Sequence, residues 1–205
     1  MTTTIVIVRH AETVDNVEDR IAGSLHDSDL TARGKEQARK LRETLSSMKF
    51  DRVYSSPQGR ALKTAELIKP DGLEITVHEN LHERGFGEID GNAWKHIDKT
   101  MPGLQEKYRE TGELIGVKGA ESFDECRERM LSAMSSIAEI NKGKRILLIS
   151  HGTVLRIFLA AVIGIKGRSK EDLFKVNVDN CSVNTVVYEK EEFKVSNLNV
   201  NKTLN

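Results

Sequence analysis

The sequence predicts an α/β fold, a three-layer sandwich whose central sheet is mostly parallel and carries helices on both faces. Two uninterrupted apolar runs, Ile5-Val6-Ile7-Val8 and Ile146-Leu147-Leu148-Ile149, read as strands buried on both sides. Helical stripes at three- and four-residue steps stand between such runs. Both runs also stop abruptly on polar groups, Arg9-His10 and Ser150-His151-Gly152. In open α/β sheets, ligands sit beyond the carboxyl ends of the strands, so these ends predict one polar rim.

In chain order, the first strand gives way to a polar loop over 11–29. Leu30-Thr31 opens a helix with Thr31 as its cap, and Ala38, Leu41, Leu45 and Met48 form its buried stripe. Gly34 in the first turn costs about 1 kcal/mol relative to alanine, which argues for close packing there. Arg52-Val53-Tyr54-Ser55 is a short strand. Ser56-Pro57 starts a helix over 58–68 that turns Ala61, Leu62, Ala65, Leu67 and Ile68 inward, with Arg60 near its anion-favouring N-terminus. A turn at Pro70-Asp71-Gly72 precedes a strand over 74–78 and a glycine-rich loop that presents Glu83.

Between 92 and 120 the pattern weakens. Trp94, Ile97, Met101, Leu104 and Tyr108 suggest two short helices broken at Pro102-Gly103, an insert placed to cap the site. Ser122 and Glu125 then make a capping box for a helix whose apolar face is Phe123, Cys126, Met130, Met134, Ile137 and Ile140. After the strand over 145–150 come an apolar helix over 153–163, a short helix from Ser169, and two final strands over 182–188 and 193–199. The whole chain, 1–205, reads as one domain.

Composition narrows the class. The chain has 205 residues, 38% hydrophobic and 30% charged, with 31 basic and 31 acidic side chains and formal net charge zero. A nucleic-acid binder normally carries a basic excess, so no nucleic-acid partner is expected. Residues 157–165, the longest apolar stretch, fall far short of the ~20 needed to span a bilayer, so no membrane partner is expected either. The N-terminus lacks a basic n-region and a long apolar stretch, and two unspaced cysteines suggest reduced thiols; a cytoplasmic location is expected. Oligomeric state is left open.

Several blocks together carry a resemblance. Arg9-His10-Ala11-Glu12-Thr13 resembles the Arg-His-Gly-Glu-Thr signature of the histidine phosphatase superfamily, the phosphoglycerate-mutase-like proteins. Leu30-Thr31 with Gly34, Gln37 and Ala38 follows in the family's order, as do Ser55-Ser56 with Arg60, Ala61, Thr64 and Ala65. Glu83 before Gly85-Phe86-Gly87, then Ser150-His151-Gly152, complete five ordered motifs. Weaker likenesses are Gly119-Ala120-Glu121-Ser122 and Asn180-Cys181-Ser182-Val183-Asn184. Ala11 departs from the family glycine and puts an extra methyl group at the pocket floor. Coverage runs from residue 5 to about 200.

The resemblance implies a phosphoglycerate-mutase-like fold and a phosphohistidine mechanism that needs no metal or other cofactor. His10 is then the nucleophile, because a neutral imidazole can attack phosphorus and split one hard step into two. Arg9 and Arg60 clamp the phosphoryl oxygens, for which the planar guanidinium fork is suited. His151 donates to a phosphoryl oxygen, and Glu83 gives a proton to the leaving oxygen and later activates water. The substrate-binding set is Arg9, Asn16, Arg60, His151 and Gly152. Glu12 is instead expected to pair with a basic residue and hold the loop.

Each residue has a plainer alternative: a strand-end cap for His10, a surface ion pair for Arg60, a buried backbone-bonded ring for His151, solvated loop positions for Asn16 and Glu83. Four further histidines raise a metal reading. His78 and His82 are four apart, but strand and glycines there oppose a helical ligand pair, so no metal is expected. Two reactions remain: a phosphomonoesterase acting on small phosphorylated metabolites, and a cofactor-dependent phosphoglycerate mutase. The mutases carry an insert with paired arginines, whereas 92–118 holds only Arg109 and a few lysines. That favours the phosphatase, although Glu83-Arg84 echoes the mutases.

Overall fold

A computed structural model describes residues 1–198 of the chain. Its elements are β1 (Thr3–Arg9), α1 (Val14–Val17), α2 (Ala32–Leu45), β2 (Arg52–Ser55), α3 (Gly59–Ile68), β3 (Ile75–Val77), α4 (Ile97–Thr100), α5 (Leu104–Thr111), α6 (Phe123–Ile140), β4 (Arg145–Ser150), α7 (Gly152–Val162), α8 (Lys170–Phe174), β5 (Val183–Glu189) and β6 (Glu192–Asn197). One sheet takes the strands in the order β3-β2-β4-β1-β5-β6. The first four strands of the chain run parallel to their neighbours among themselves, and β5 is antiparallel to both β1 and β6.

Alternate side chains of the two central strands go to opposite faces, as the period of a strand requires. Ile5, Ile7, Ile146 and Leu148 pack with α6 and α7, while Val6, Val8, Leu147 and Ile149 pack with α2 and α3. That division makes the three layers. A third apolar cluster, including Ile21, Phe86, Ile97, Leu104 and Leu114, stands apart from the sheet and joins the loop after β1 to the short helices α4 and α5.

Thr31 caps α2 and Ser122 caps α6 with a complete capping box, as expected. Gly34 is required by contact: a Cβ there would stand 2.1 Å from the Glu12 carbonyl oxygen, so the first turn of α2 packs directly on the backbone after β1. The hairpin between β5 and β6 turns on Lys190 and Glu191, both left-handed, as suits a two-residue hairpin loop.

Four expectations need correction. Met48 lies beyond the end of α2, and Ile140, the last residue of α6, points outward because Ile137, Ala138 and Asn141 hold the inward face of that turn; both are exposed. Pro57 stays outside α3, which starts at Gly59 after an extended Gln58 whose side chain reaches across to Gly23 and Glu83. Leu62 is half-buried, since Arg60 and Thr64 take inward positions on that helix, whereas Leu67 packs against the core as expected. Asn199, predicted at the end of the last strand, lies outside the described residues. Cys126 and Cys181 are buried and not joined to each other; burial pushes the Cys181 thiol up to about 12.

Candidate active site

β1 and β4 lie side by side with Arg9 opposite Ser150, so His10 and His151 are the next residue of each strand. The His10 backbone N–H donates to the Ser150 carbonyl at 3.0 Å, and the two imidazole rings stand 5.3 Å apart. The shared register brings the predicted pair together.

His10 is 3% exposed. Its Nδ1 lies 2.8 Å from the Ala11 carbonyl oxygen, an acceptor, so Nδ1 carries the hydrogen and Nε2 keeps the lone pair. Burial, then the charges of Arg9 and Arg60, push His10 well below the ordinary histidine range. The ring is neutral and its tautomer is fixed. It faces a cavity of about 270 Å³ whose wall also includes Arg9, Asn16, Glu83 and Gly152.

Each of those neighbours is held by a specific device. Arg9 donates from one terminal nitrogen to the Val178 carbonyl at 2.8 Å, and its buried Nε has no hydrogen-bond partner. Burial and then the nearby Arg156 charge lower Arg9 to about 10. Asn16 closes a capping box with Thr13 on α1, and its oxygen accepts from the Thr13 backbone and the Asn180 side chain. With the oxygen occupied, its NH2 group is the one left for the cavity. Gly152 opens α7, and a Cβ there would press on the Arg9 Nε and Cζ at 3.2 and 3.3 Å.

Glu83 is not the solvated loop residue of the plainer alternative. It is 6% exposed, and its carboxylate accepts backbone N–H bonds from Thr153 at 2.9 Å and from Val154 and Arg84 at 2.8 Å. The loop after β3 thereby docks an acidic group on the N-terminus of α7, where free N–H groups favour it. Glu12 accepts from Thr31 at 2.7 Å and pairs with Arg33 at 3.4 Å, the loop-holding role expected of it.

Arg60 and His151 differ from expectation. Both are fully buried, and neither lies on the cavity wall. Arg60 gives all five N–H groups to protein: two to the carbonyls of Ala22 and Gly23, one to that of His26, one to Asp27 and one to His151 Nδ1. No donor is left for a phosphoryl oxygen in this arrangement. Since His151 Nδ1 accepts from Arg60, its Nε2–H donates to the Ser56 hydroxyl at 2.6 Å. Burial and the Arg60 charge push His151, too, well below the ordinary histidine range. The pair forms a layer directly behind His10.

The cavity wall also holds residues that the sequence reading passed over: Arg156, Lys170, Phe174, Tyr108 and Trp94. Arg156 had a visible signal, as the one charged side chain in the apolar helix α7. Trp94 and Tyr108 read as core residues of the insert, and they do pack edge to face there while showing a surface to the cavity. Arg109 of the insert is exposed and off the wall, and Arg84 is buried against Gly112, Glu113 and Glu121.

Known proteins resemble this chain in sequence and in fold. The family model described as histidine phosphatase superfamily (branch 1) matches residues 5–201. A protein of Salmonella choleraesuis (strain SC-B67) named probable phosphoglycerate mutase GpmB is 30% identical over 193 residues, covering 94% of this chain and 88% of that one. Among solved structures, Bacillus stearothermophilus YhfR superposes with a TM-score of 0.86 at 29% identity, covering 95% of each chain. The alpha-ribazole phosphatase of Shigella flexneri superposes at 0.83 with 26% identity, covering 96% of each.

Proposed function

The chain belongs to the histidine phosphatase superfamily, and we propose that within it the protein is a metal-independent phosphomonoesterase that works through a phosphohistidine on small phosphorylated metabolites. The observation that carries this reading is His10 itself: a neutral ring with its tautomer fixed, turned to a cavity it shares with Arg9, Asn16 and Glu83. His10 Nε2 attacks phosphorus, the N–P bond forms and the ester P–O bond breaks. The proton that Glu83 gives to the departing oxygen enters with the substrate: the phosphomonoester binds as its monoanion and passes its proton to the Glu83 carboxylate. Glu83 then takes a proton from water as that oxygen attacks phosphorus, which frees His10 and inorganic phosphate and returns the proton to Glu83.

Arg9 holds the phosphoryl oxygens by its charge and the Asn16 amide by a neutral hydrogen bond, both already in place before the reaction. Arg60 works one layer back: its charge helps keep His10 neutral and its bonds hold His151 beside it. His151 gives its Nε2–H to a phosphoryl oxygen by exchanging the Ser56 hydroxyl for substrate. Residues 92–120 act as the cap, a role supported by Trp94 and Tyr108 on the cavity wall.

The test is release of phosphate from p-nitrophenyl phosphate in EDTA, compared between the wild type and His10→Ala. Activity should fall by a factor on the order of 10³ or more, in line with removal of a covalent nucleophile elsewhere. Equal activity in the two proteins would end the proposal. A mutase is the second reading, favoured by the name of the Salmonella relative. Given 3-phosphoglycerate and a bisphosphate primer, a mutase yields the 2-phospho isomer; the proposed enzyme yields glycerate and phosphate.

A further inference from the structure

Arg156 is a half-buried cation with little to hold. Its Nε is enclosed and has no hydrogen-bond partner, and a terminal nitrogen reaches the Val178 carbonyl only at 3.4 Å. Arg60, one layer back, has all five donors engaged. A half-buried guanidinium whose enclosed Nε–H has no partner is costly unless an anion completes it. Glu83 and Asp179 are the carboxylates whose charge reaches Arg156, and Glu83 already accepts three backbone N–H bonds.

Its position says which anion. Arg156 and Arg9 flank Gly152: a Cβ on that glycine would stand 3.4 Å from Arg156 and 3.2 Å from Arg9. Arg9 is joined in sequence to His10 and belongs to the reacting phosphoryl group. Arg156 instead lies over the Phe174 ring at 4.4 Å, and the Lys170 ammonium lies over the same ring at 5.2 Å. A second pair of cations thus stands next to the phosphoryl end without being part of it. A cavity of about 270 Å³ has room for a phosphate and a few carbons. The planar fork of arginine matches a carboxylate.

We propose that Arg156, with Lys170 beside it, binds a carboxylate of the substrate, so that the preferred substrates are small phosphorylated acids whose acidic group lies close to the phosphoester. The proposal rests on the phosphatase reading for what happens next, but it concerns binding and is tested without turnover. Two matched pairs serve as probes: 3-phosphoglycerate with glycerol 3-phosphate, and phosphoserine with phosphoethanolamine. Within each pair the carboxylate is what is lost or replaced.

Binding is measured calorimetrically on His10→Ala protein, with and without Arg156→Gln. With Arg156 present, at least one acid should bind about tenfold or more tighter than its partner, the scale of one hydrogen-bonded charge pair. Arg156→Gln should bring that ratio close to one, and Arg156→Lys, which keeps the charge in the same hole, should leave it intermediate. If neither pair is discriminated, or if both members weaken equally in Arg156→Gln, the proposal is overturned and Arg156 holds the phosphoryl group or the fold. Should Arg156→Gln fail to fold, the lysine variant decides by the same ratio. A ratio that collapses while His10-intact protein releases no phosphate upholds the carboxylate site and removes the hydrolytic reading.

Discussion

Arg60 donates its Nε–H to His151 Nδ1 at 3.1 Å, and this one bond fixes the tautomer of a ring that stands 5.3 Å from His10. The same guanidinium ties down the carbonyls of Ala22, Gly23 and His26 and pairs with Asp27 at 3.0 Å. It therefore serves the loop after β1 and the second histidine at once.

Arg60→Ala should cost stability as well as activity. Removing one partner of a buried charged network typically costs about 3–5 kcal/mol. For a chain of this size that is a drop in Tm on the order of 10 °C. A calorimetric scan checks it. An unchanged Tm would mean that the five bonds are not made in solution.

Acid should weaken the fold through His10 and His151. Both are pushed well below the ordinary range by burial, with Arg9 and Arg60 adding to it for His10 and Arg60 for His151. The unfolded chain takes up these protons near pH 6.5 while the folded chain refuses them, so more protons are bound unfolded and stability falls as pH drops below that value. Above about pH 6.5 both states hold neutral rings and the two histidines add no slope. Below it, each contributes up to about 1.4 kcal/mol per pH unit until its folded-state pKa is reached. Urea titrations at pH 7.5, 6.5 and 5.5 read this directly, and His10→Ala should flatten the slope by about half.

Glu83→Gln should separate two roles of one side chain. The amide keeps the shape but replaces an accepting oxygen with a donor facing backbone N–H groups at the start of α7. Stability should fall by roughly 1–2 kcal/mol, as for the loss of a helix N-cap. The rate should fall by about 10² to 10⁴, the range for a missing acid–base group. A variant that loses only stability would remove Glu83 from the proton transfers.

Much of this was legible in the sequence because it depends on local pattern. Four β-branched residues ending on Arg9-His10, repeated in kind by Ile146 to Ile149, announce two central strands and a polar rim. Ser122 with Glu125 and Thr31 with Gly34 mark helix starts through side-chain-to-backbone bonds that span three residues. What stayed hidden depends on partners without a sequence signature. Arg60 is enclosed by main-chain carbonyls, which every residue carries, so its withdrawal from the cavity leaves no trace in residue identity. Met48 continues an apolar stripe past the end of α2, and at Ile140 the inward position passes instead to Ala138 and Asn141, neither of which periodicity alone foresees. Arg156 was readable as a lone charge among apolar neighbours, but only the fold shows which wall it reaches.

The pairing of β1 with β4 has a consequence for how the protein is made. Thr4 lies opposite Arg145 and Val8 opposite Ile149, so β1 finds its parallel neighbour only once the long stretch of chain up to β4 has been synthesised. Until then its sticky β-branched edge has no native strand beside it, a hazard of sheets closed by distant partners. Biosynthesis therefore sets a waiting time before the two imidazoles can meet, and a chain cut short before β4 carries His10 without His151.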